Sequence, residues 1–290
     1  MAIKAALLAR GAAQVWYLDA AECGCGDTAQ TLVLSIWPYE ASLPAEGESG
    51  WVHPYYPVSQ RAYQMATQVV QEAQAQGLDI TLRDDIRLKP ILSRLPQVDR
   101  GRNTLNYLPE IGSRFHVQTM LWKEAKTADY PLLSAAKERH CGDCTACMAA
   151  CPTGALQVDG FHRERCIRAW QMSGKLPPED IRKAMGGTLL GCDICQGCCP
   201  HNQKPAPPKT ECHLPIEPLL AGNSEAMAAL ATQIGHNIAL KNRVLTQVCI
   251  AAGNSGNPAF LPLLEEKTKH PSPSVAEAAQ WAMEQLHQVK

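Results

Sequence analysis

The sequence has almost no net charge. Its 27 Lys and Arg and 28 Asp and Glu leave −1 over 290 residues. That excludes a global basic field as the route to nucleic acid or a membrane surface, and leaves room only for a local patch. Long apolar runs are missing as well. The longest uncharged stretch, 244–264, carries Asn254, Ser255, Gly256, Asn257 and Pro258 in its middle. It predicts helix, turn, helix rather than a membrane span. No secretory leader is legible, because the apolar AALLA near the start is cut by Arg10 and is too short. The expectation is a cytoplasmic monomer with no membrane partner.

What the chain has in excess is cysteine. There are thirteen, and most fall between 141 and 212. Disulfide scaffolds belong to small secreted chains. Clustered thiols in a cytoplasmic chain of this size read instead as metal ligands.

The stretch HCGDCTACMAACPTGAL, 140–156, places Cys141, Cys144, Cys147 and Cys151 at gaps of two, two and three residues, with Pro152 after the last. This is the bacterial ferredoxin run, in which the first three thiols curl around one [4Fe–4S] cube and the fourth ligates a second. The motif therefore demands a complement of one thiol for the first cube and three for the second. GCDICQGCCPHN, 191–202, offers Cys192, Cys195, Cys198 and Cys199, the last before Pro200, and RCIRAW, 165–170, offers Cys166. The expected ligands are Cys141, Cys144, Cys147 and Cys199 for one cluster, and Cys151, Cys166, Cys192 and Cys195 for the other. Cys198 competes with Cys199, which the following proline favours. Structural zinc is the rival reading, but zinc uses two pairs of ligands rather than this run. Cys23 and Cys25 in ECGCGD read as incidental loop thiols. Cys212 and Cys249 read as spare, Cys249 as a small hydrophobe on an apolar helix.

Local patterns outline the remainder. TLVLSIW (31–37), LDITLRD (78–84) and GSRFHVQTMLW (112–122) read as strands. SQRAYQMATQVVQEAQAQ (59–76) reads as a helix with Ser59 as its N-cap and Gly77 as its stop. PAPPK (205–209) reads as a linker. The alanine- and leucine-rich tail reads either as one to two HEAT-type helical units or as a plain helical cap. The fold class is α+β, with a mixed α/β domain over 1–130, a ferredoxin-like double-cluster domain over 131–212 and a HEAT-like helical tail over 213–290.

The order HCGDCTACMAACPTGAL, RCIRAW, GCDICQGCCPHN resembles the double-cluster module of the epoxyqueuosine reductases, related to that of the reductive dehalogenases. GRNTLNYLPEIGSRFHVQTML (101–121) extends the resemblance upstream. It implies a cobalamin pocket that uses Gly101, Arg102, Asn103, Thr104, Gly112 and Ser113, where glycine would let the backbone approach a flat cofactor. The implied activity is reduction of a modified tRNA base or a small molecule, with electrons passing from a flavodoxin- or ferredoxin-type donor through two clusters to a corrinoid. Tyr55, Tyr56, Tyr63 and Tyr107 are candidate pocket residues or proton donors.

The chain also departs from the family. The family's Asp-x-x-Pro-Val-Leu-Glu-Arg stretch, with an aspartate proposed as proton donor, corresponds to RLKPILSR (87–94). Arg87 stands in the aspartate's place and Ser93 in the glutamate's, with Asp84 and Asp85 a few residues away. LPQVDR (95–100) replaces a glycine-rich run. Arginine cannot serve as an acid at neutral pH. The alternatives are a ferredoxin-like electron carrier without its own substrate, and a tRNA-binding relative that has lost catalysis.

Overall fold

The computed structural model describes residues 2–41, 47–136, 141–202 and 212–288. The linker read over 205–209 lies outside the described residues. In chain order the strands are Gln14–Asp19 (β1), Thr31–Pro38 (β2), Ser49–Val52 (β3), Ile80–Arg83 (β4), Asp99–Arg100 (β5), Asn106–Tyr107 (β6), Phe115–Trp122 (β7), Thr188–Leu190 (β8) and His213–Pro215 (β9). The chain divides into two compact units built from interleaved stretches. One comprises Met1–Glu40, Val58–Thr145 and Cys198–Pro208, the other Ala41–Pro57, Ala146–Gly197 and Lys209–Lys290.

The first unit is a four-stranded sheet in the order β1-β2-β7-β4, with each neighbouring pair antiparallel. Seven of the eight residues of β2 are buried, because both faces of the sheet are covered. That is why its sequence is a continuous apolar run and not an alternation. Val33 and Trp37 of β2, Met120 and Trp122 of β7, and Ala62, Ala66, Val69 and Ala73 of the helix Tyr55–Ala75 form one core. Leu32, Leu34, Val117 and Leu121 form the other with Ile91, Leu95 and Val98. Between β5 and β6 the chain turns sharply. Gly101 N–H donates to Leu105 O at 2.9 Å, and Thr104 adopts a left-handed φ of 65°. This hairpin tip reappears at the candidate site.

The helix predicted from Ser59 begins one turn earlier, at Tyr55. His53 supplies the N-terminal acceptor instead, its Nδ1 taking the Tyr55 N–H at 3.0 Å. Pro57 fits the first turn because backbone N–H groups there have no partner within the helix. At the other end Gly77, φ 82°, is the stop the sequence implied.

In the second unit β3 is the middle strand, parallel to β8 and antiparallel to β9. Its core joins Val52, Ile167, Ile181 and Leu189 to Ile216, Val248, Ile250 and Trp281. The tail helices therefore share one core with the segment that carries Cys166. The helix Lys241–Asn254 ends on Asn254, whose Nδ2 donates to Arg182 O at 2.8 Å and Gly186 O at 3.0 Å. Gly253 lets the helix Pro273–Gln288 pass close by, since a Cβ there would lie 2.7 Å from Ala282 Cα. The helix, turn, helix read over 244–264 is present, as Lys241–Asn254 followed by Leu261–Lys267. Among the described residues no helix is long and apolar enough to cross a membrane.

His116 in β7 is half-buried, and desolvation lowers its pKa to about 4 from 6.5. A folded-state pKa below the unfolded one means the folded chain resists taking up the proton. The stability this protects is complete above pH 6.5 and is lost as pH falls towards 4, on the order of 3 kcal/mol in all. Denaturant titrations of wild type and His116→Leu between pH 7 and 4 should show a steep loss in the first and a shallower one in the second.

Candidate iron–sulfur site

The eight thiols expected as ligands sit on turns and helix starts. Cys144 N–H donates to Cys141 O at 3.1 Å. Cys147 lies in the single helical turn Ala146–Ala149, and Cys151 N–H returns to Met148 O at 3.3 Å. Cys166 immediately precedes the helix Ile167–Ser173. Between Cys192 and Cys195, Asp193 O accepts the N–H groups of Gln196 and Gly197 at 2.9 and 2.7 Å. Cys199 O accepts Asn202 N–H at 2.9 Å. All thirteen cysteines are free of disulfides.

Burial and the charge of neighbouring thiols govern how these cysteines ionise. In the second unit, burial pushes the Cys192 thiol up to about 11, and the charges of Cys166, Cys151 and Asp193 add to this. Cys195 is raised well above its ordinary value by burial, then by Cys192, Asp193, Cys166 and Cys147. In the first unit, burial raises Cys199, Cys141 and Cys144 raise it further, and Arg114 pulls it back. Cys151 behaves differently. Burial would raise it, but hydrogen bonds from Thr153 and from backbone N–H groups including Ala155, at 3.3 Å, bring it below the ordinary thiol value. Half-buried thiols that repel one another's charge cannot all ionise unless cations sit among them. A metal cluster supplies that positive charge and deprotonates its ligands outright. The donor set, thiols only, is that of an iron–sulfur cube. Among the described residues no three ligands converge closely enough for a single metal ion. A cube is broader than an ion and spreads its thiolates further apart.

Around Cys141 and Cys199 the first unit builds a brace that sequence reading did not anticipate. Arg102, at the tip of the β5–β6 hairpin, donates its backbone N–H to Cys141 Sγ at 3.3 Å and its Nη2 to Gly142 O at 2.8 Å. Asn202, three residues past Cys199, accepts Ser113 N–H at 2.7 Å and donates Nδ2 to Ser113 Oγ at 2.9 Å. Arg114, 9% exposed, donates Nη1 to Asn202 O at 3.1 Å. Gly112, φ 81°, leaves room for this turn, since a Cβ there would lie 2.7 Å from His201 O. His201 stacks on Tyr107, with centroids 4.1 Å apart. Burial pushes the Tyr107 phenol up to about 12, helped by Asp99, Cys141 and Cys199.

The residues carried over for a cofactor pocket are thus engaged within the chain. Asn103 is buried and its Oδ1 accepts Leu105 N–H at 3.2 Å. Gly112 and Ser113 serve the Asn202 turn. Of the other tyrosines, Tyr56 is buried, with Arg168 over its ring at 5.5 Å, and Tyr63 is 49% exposed. Arg87 is exposed at the start of the short helix Leu88–Leu92. Asp85 is held ionised by Arg83 through two 2.7 Å bonds. Cys212 and Cys249 are fully buried, Cys212 against Trp51. Cys23 and Cys25 lie in a loop, where Cys25 Sγ donates to Ala20 O at 3.5 Å.

Residues 140–202 match the family model of a 4Fe-4S double cluster binding domain. Over that stretch the chain is similar to double-cluster iron–sulfur domains. Its relatives are specific: the chain is similar to the epoxyqueuosine reductases. It is 28% identical to that of Bacillus subtilis over 221 residues, 69% of this chain and 56% of that protein. The chain spans about half the length of the curated relatives it matches. The structure of epoxyqueuosine reductase from Streptococcus thermophilus aligns over 99% of this chain and 90% of that one, with a TM-score of 0.77 at 18% identity. A crystal structure of epoxyqueuosine reductase with an epoxyqueuosine-modified tRNA-Tyr stem loop aligns over 98% and 89%, at 0.73 and 19%. The fold is shared.

Gly112→Ala would push a side chain into the Asn202 turn at a left-handed backbone position. We expect a loss of about 2 kcal/mol or more, with reduced iron content after anaerobic reconstitution. Calorimetry and iron analysis check this.

Proposed function

We propose that this chain is an iron–sulfur oxidoreductase of the epoxyqueuosine reductase type, acting on a modified base in tRNA. The observation that carries this reading is the match of residues 140–202 to a double cluster binding domain, with Cys141, Cys144, Cys147, Cys151, Cys166, Cys192, Cys195 and Cys199 all inside it. Cys151, Cys166, Cys192 and Cys195 are the ligands of one cluster. Cys141, Cys144 and Cys199 are ligands of the other, with Cys147 assigned to it by its spacing. Each cluster, when bound, stores and delivers one electron at a time. A flavodoxin- or ferredoxin-type protein is the donor, and the chain works as a cytoplasmic monomer. The stretch 131–212 is read as ferredoxin-like and the tail as HEAT-like. The core shared by the tail and residues 167–190 supports their folding together.

The chain's own residues do the positioning. The Arg102 N–H holds Cys141, the Asn202–Ser113 pair holds the turn after Cys199, and the N–H groups around Cys151 favour its thiolate. Removing the oxygen of an epoxide takes two electrons and two protons and releases water. The family's carboxylic acid is not available for those protons, because Arg87 occupies its place and Asp85 is bound to Arg83. A corrinoid over 101–121 is the finer form of the reading. Asn103, Gly112 and Ser113 are committed within the chain, so they do not fit such a group as they stand, and no step is derived through it.

The second reading is an electron carrier that delivers to a partner, and Arg87 favours it. Both are tested by incubating the anaerobically reconstituted, reduced chain with an epoxyqueuosine-containing tRNA stem loop, with and without cob(II)alamin. Loss of one oxygen from the nucleoside, read by mass spectrometry, is the expected result. Intact substrate under both conditions, with both clusters loaded and reduced, would leave the carrier.

A further inference from the structure

One glutamine of the second unit is completely enclosed. Gln171, 0% exposed, lies on the helix Ile167–Ser173, whose N-cap is Cys166. A core position holds a carboxamide only where partners are supplied for its oxygen and its nitrogen.

The oxygen has its partner. Gln171 Oε1 accepts the Gly191 N–H at 2.7 Å. Gly191 directly precedes Cys192 and adopts a left-handed φ of 90°. A Cβ there would collide with His53 Cβ, so the backbone is closely packed at this point. The preceding carbonyl, Leu190 O, accepts the His53 N–H at 2.7 Å. The turn into Cys192 is therefore held through Leu190 by His53 and through Gly191 by Gln171. The second of these bonds ties the segment that carries Cys166 to the one that carries Cys192 and Cys195, between residues 20 apart in sequence.

The nitrogen does not have its partner within the protein. Among the described residues, Gln171 Nε2 is buried with no hydrogen-bond acceptor. Leucine or methionine would fill the same space without this donor, but would strand the Gly191 N–H. The sulfurs of an iron–sulfur cube accept hydrogen bonds, and such bonds help to set its potential.

On the ligand reading given above, we propose that Gln171 is a positioning residue for the Cys151–Cys166–Cys192–Cys195 cluster. Its oxygen fixes the turn before Cys192, and its Nε2–H donates to a sulfur of the bound cluster. An N–H aimed at sulfur favours the added negative charge of the reduced state, so Gln171 holds the potential of that cluster up. An ordered water is the rival acceptor, and the experiment separates the two.

The test uses the full-length, anaerobically reconstituted protein, produced with glutamine labelled with nitrogen-15 in its side-chain amide. It is reduced with dithionite and read by pulsed electron paramagnetic resonance. The wild type should show a weak nitrogen-15 coupling on one cluster signal, and Gln171→Glu prepared in the same way should lack it. That variant keeps an oxygen for the Gly191 N–H and has no side-chain nitrogen. In a potentiometric titration, Gln171→Met should lower one of the two potentials and leave the other in place. A wild type without the coupling, both clusters loaded and reduced, overturns the proposal and leaves water as the partner of Nε2; no variant is needed for that result. A coupling that persists in Gln171→Glu overturns it as well, because another amide is then the source. Cys166→Ser and Cys199→Ser assign the signal, which should vanish in the first and survive in the second. A coupled signal that survives in Cys166→Ser overturns the ligand reading instead.

Discussion

Thiolates repel. Four of them cannot share a half-buried pocket unless positive charge sits among them, and the proposed ligand sets are two of this kind. Each thiol that loses water also loses the solvation that would steady its charge, which is why Cys192 and Cys195 are pushed so far from their ordinary behaviour. Much of the structure around the thiols answers that constraint. N–H groups point at Cys141 and Cys151, and the Arg114 guanidinium is tied to the turn after Cys199. Without irons the raised thiols keep their protons, so metal loading releases them and is expected to be coupled to folding.

The two units meet the constraint differently. The first hangs its thiols on a sheet buried on both faces, through the hairpin tip at Arg102 and the seat at Gly112 and Ser113. The second buries its thiols beside a small sheet and packs the tail helices into the same core. The tail therefore stabilises the thiol-bearing segment directly. Where the relatives are read as using a carboxylic acid, this chain has an exposed arginine on a short helix, so proton supply is where its chemistry should differ most.

The double-cluster stretch over 140–202 was legible because its motif is local. A run of cysteines at gaps of two, two and three is a signal that needs no knowledge of the fold. The strands at 31–38 and 115–122 and the helix up to Gly77 were legible from burial pattern and period. The helix start was not, because His53 took the capping role that Ser59 was expected to fill, and an imidazole acceptor leaves no familiar signature. The interleaving of the units was also hidden. It depends on β3, four residues long, pairing with strands more than a hundred residues away. Gly112 and Ser113 were noticed for a cofactor's sake, whereas their observed partner is Asn202, two positions beyond the proline that marked Cys199. Arg114 and Asp193 drew no attention because a charge becomes informative only once its burial is known.

The central claim is that the thiols divide so that Cys151 parts from its neighbours in the opening run and joins Cys166, Cys192 and Cys195. The most direct test is the iron content and low-temperature electron paramagnetic resonance spectrum of Cys151→Ala beside Cys166→Ala and Cys141→Ala. The account predicts about four irons in each, half the complement of two cubes, with Cys151→Ala and Cys166→Ala leaving the same signal and Cys141→Ala the other. A Cys151→Ala spectrum that matches Cys141→Ala would contradict it.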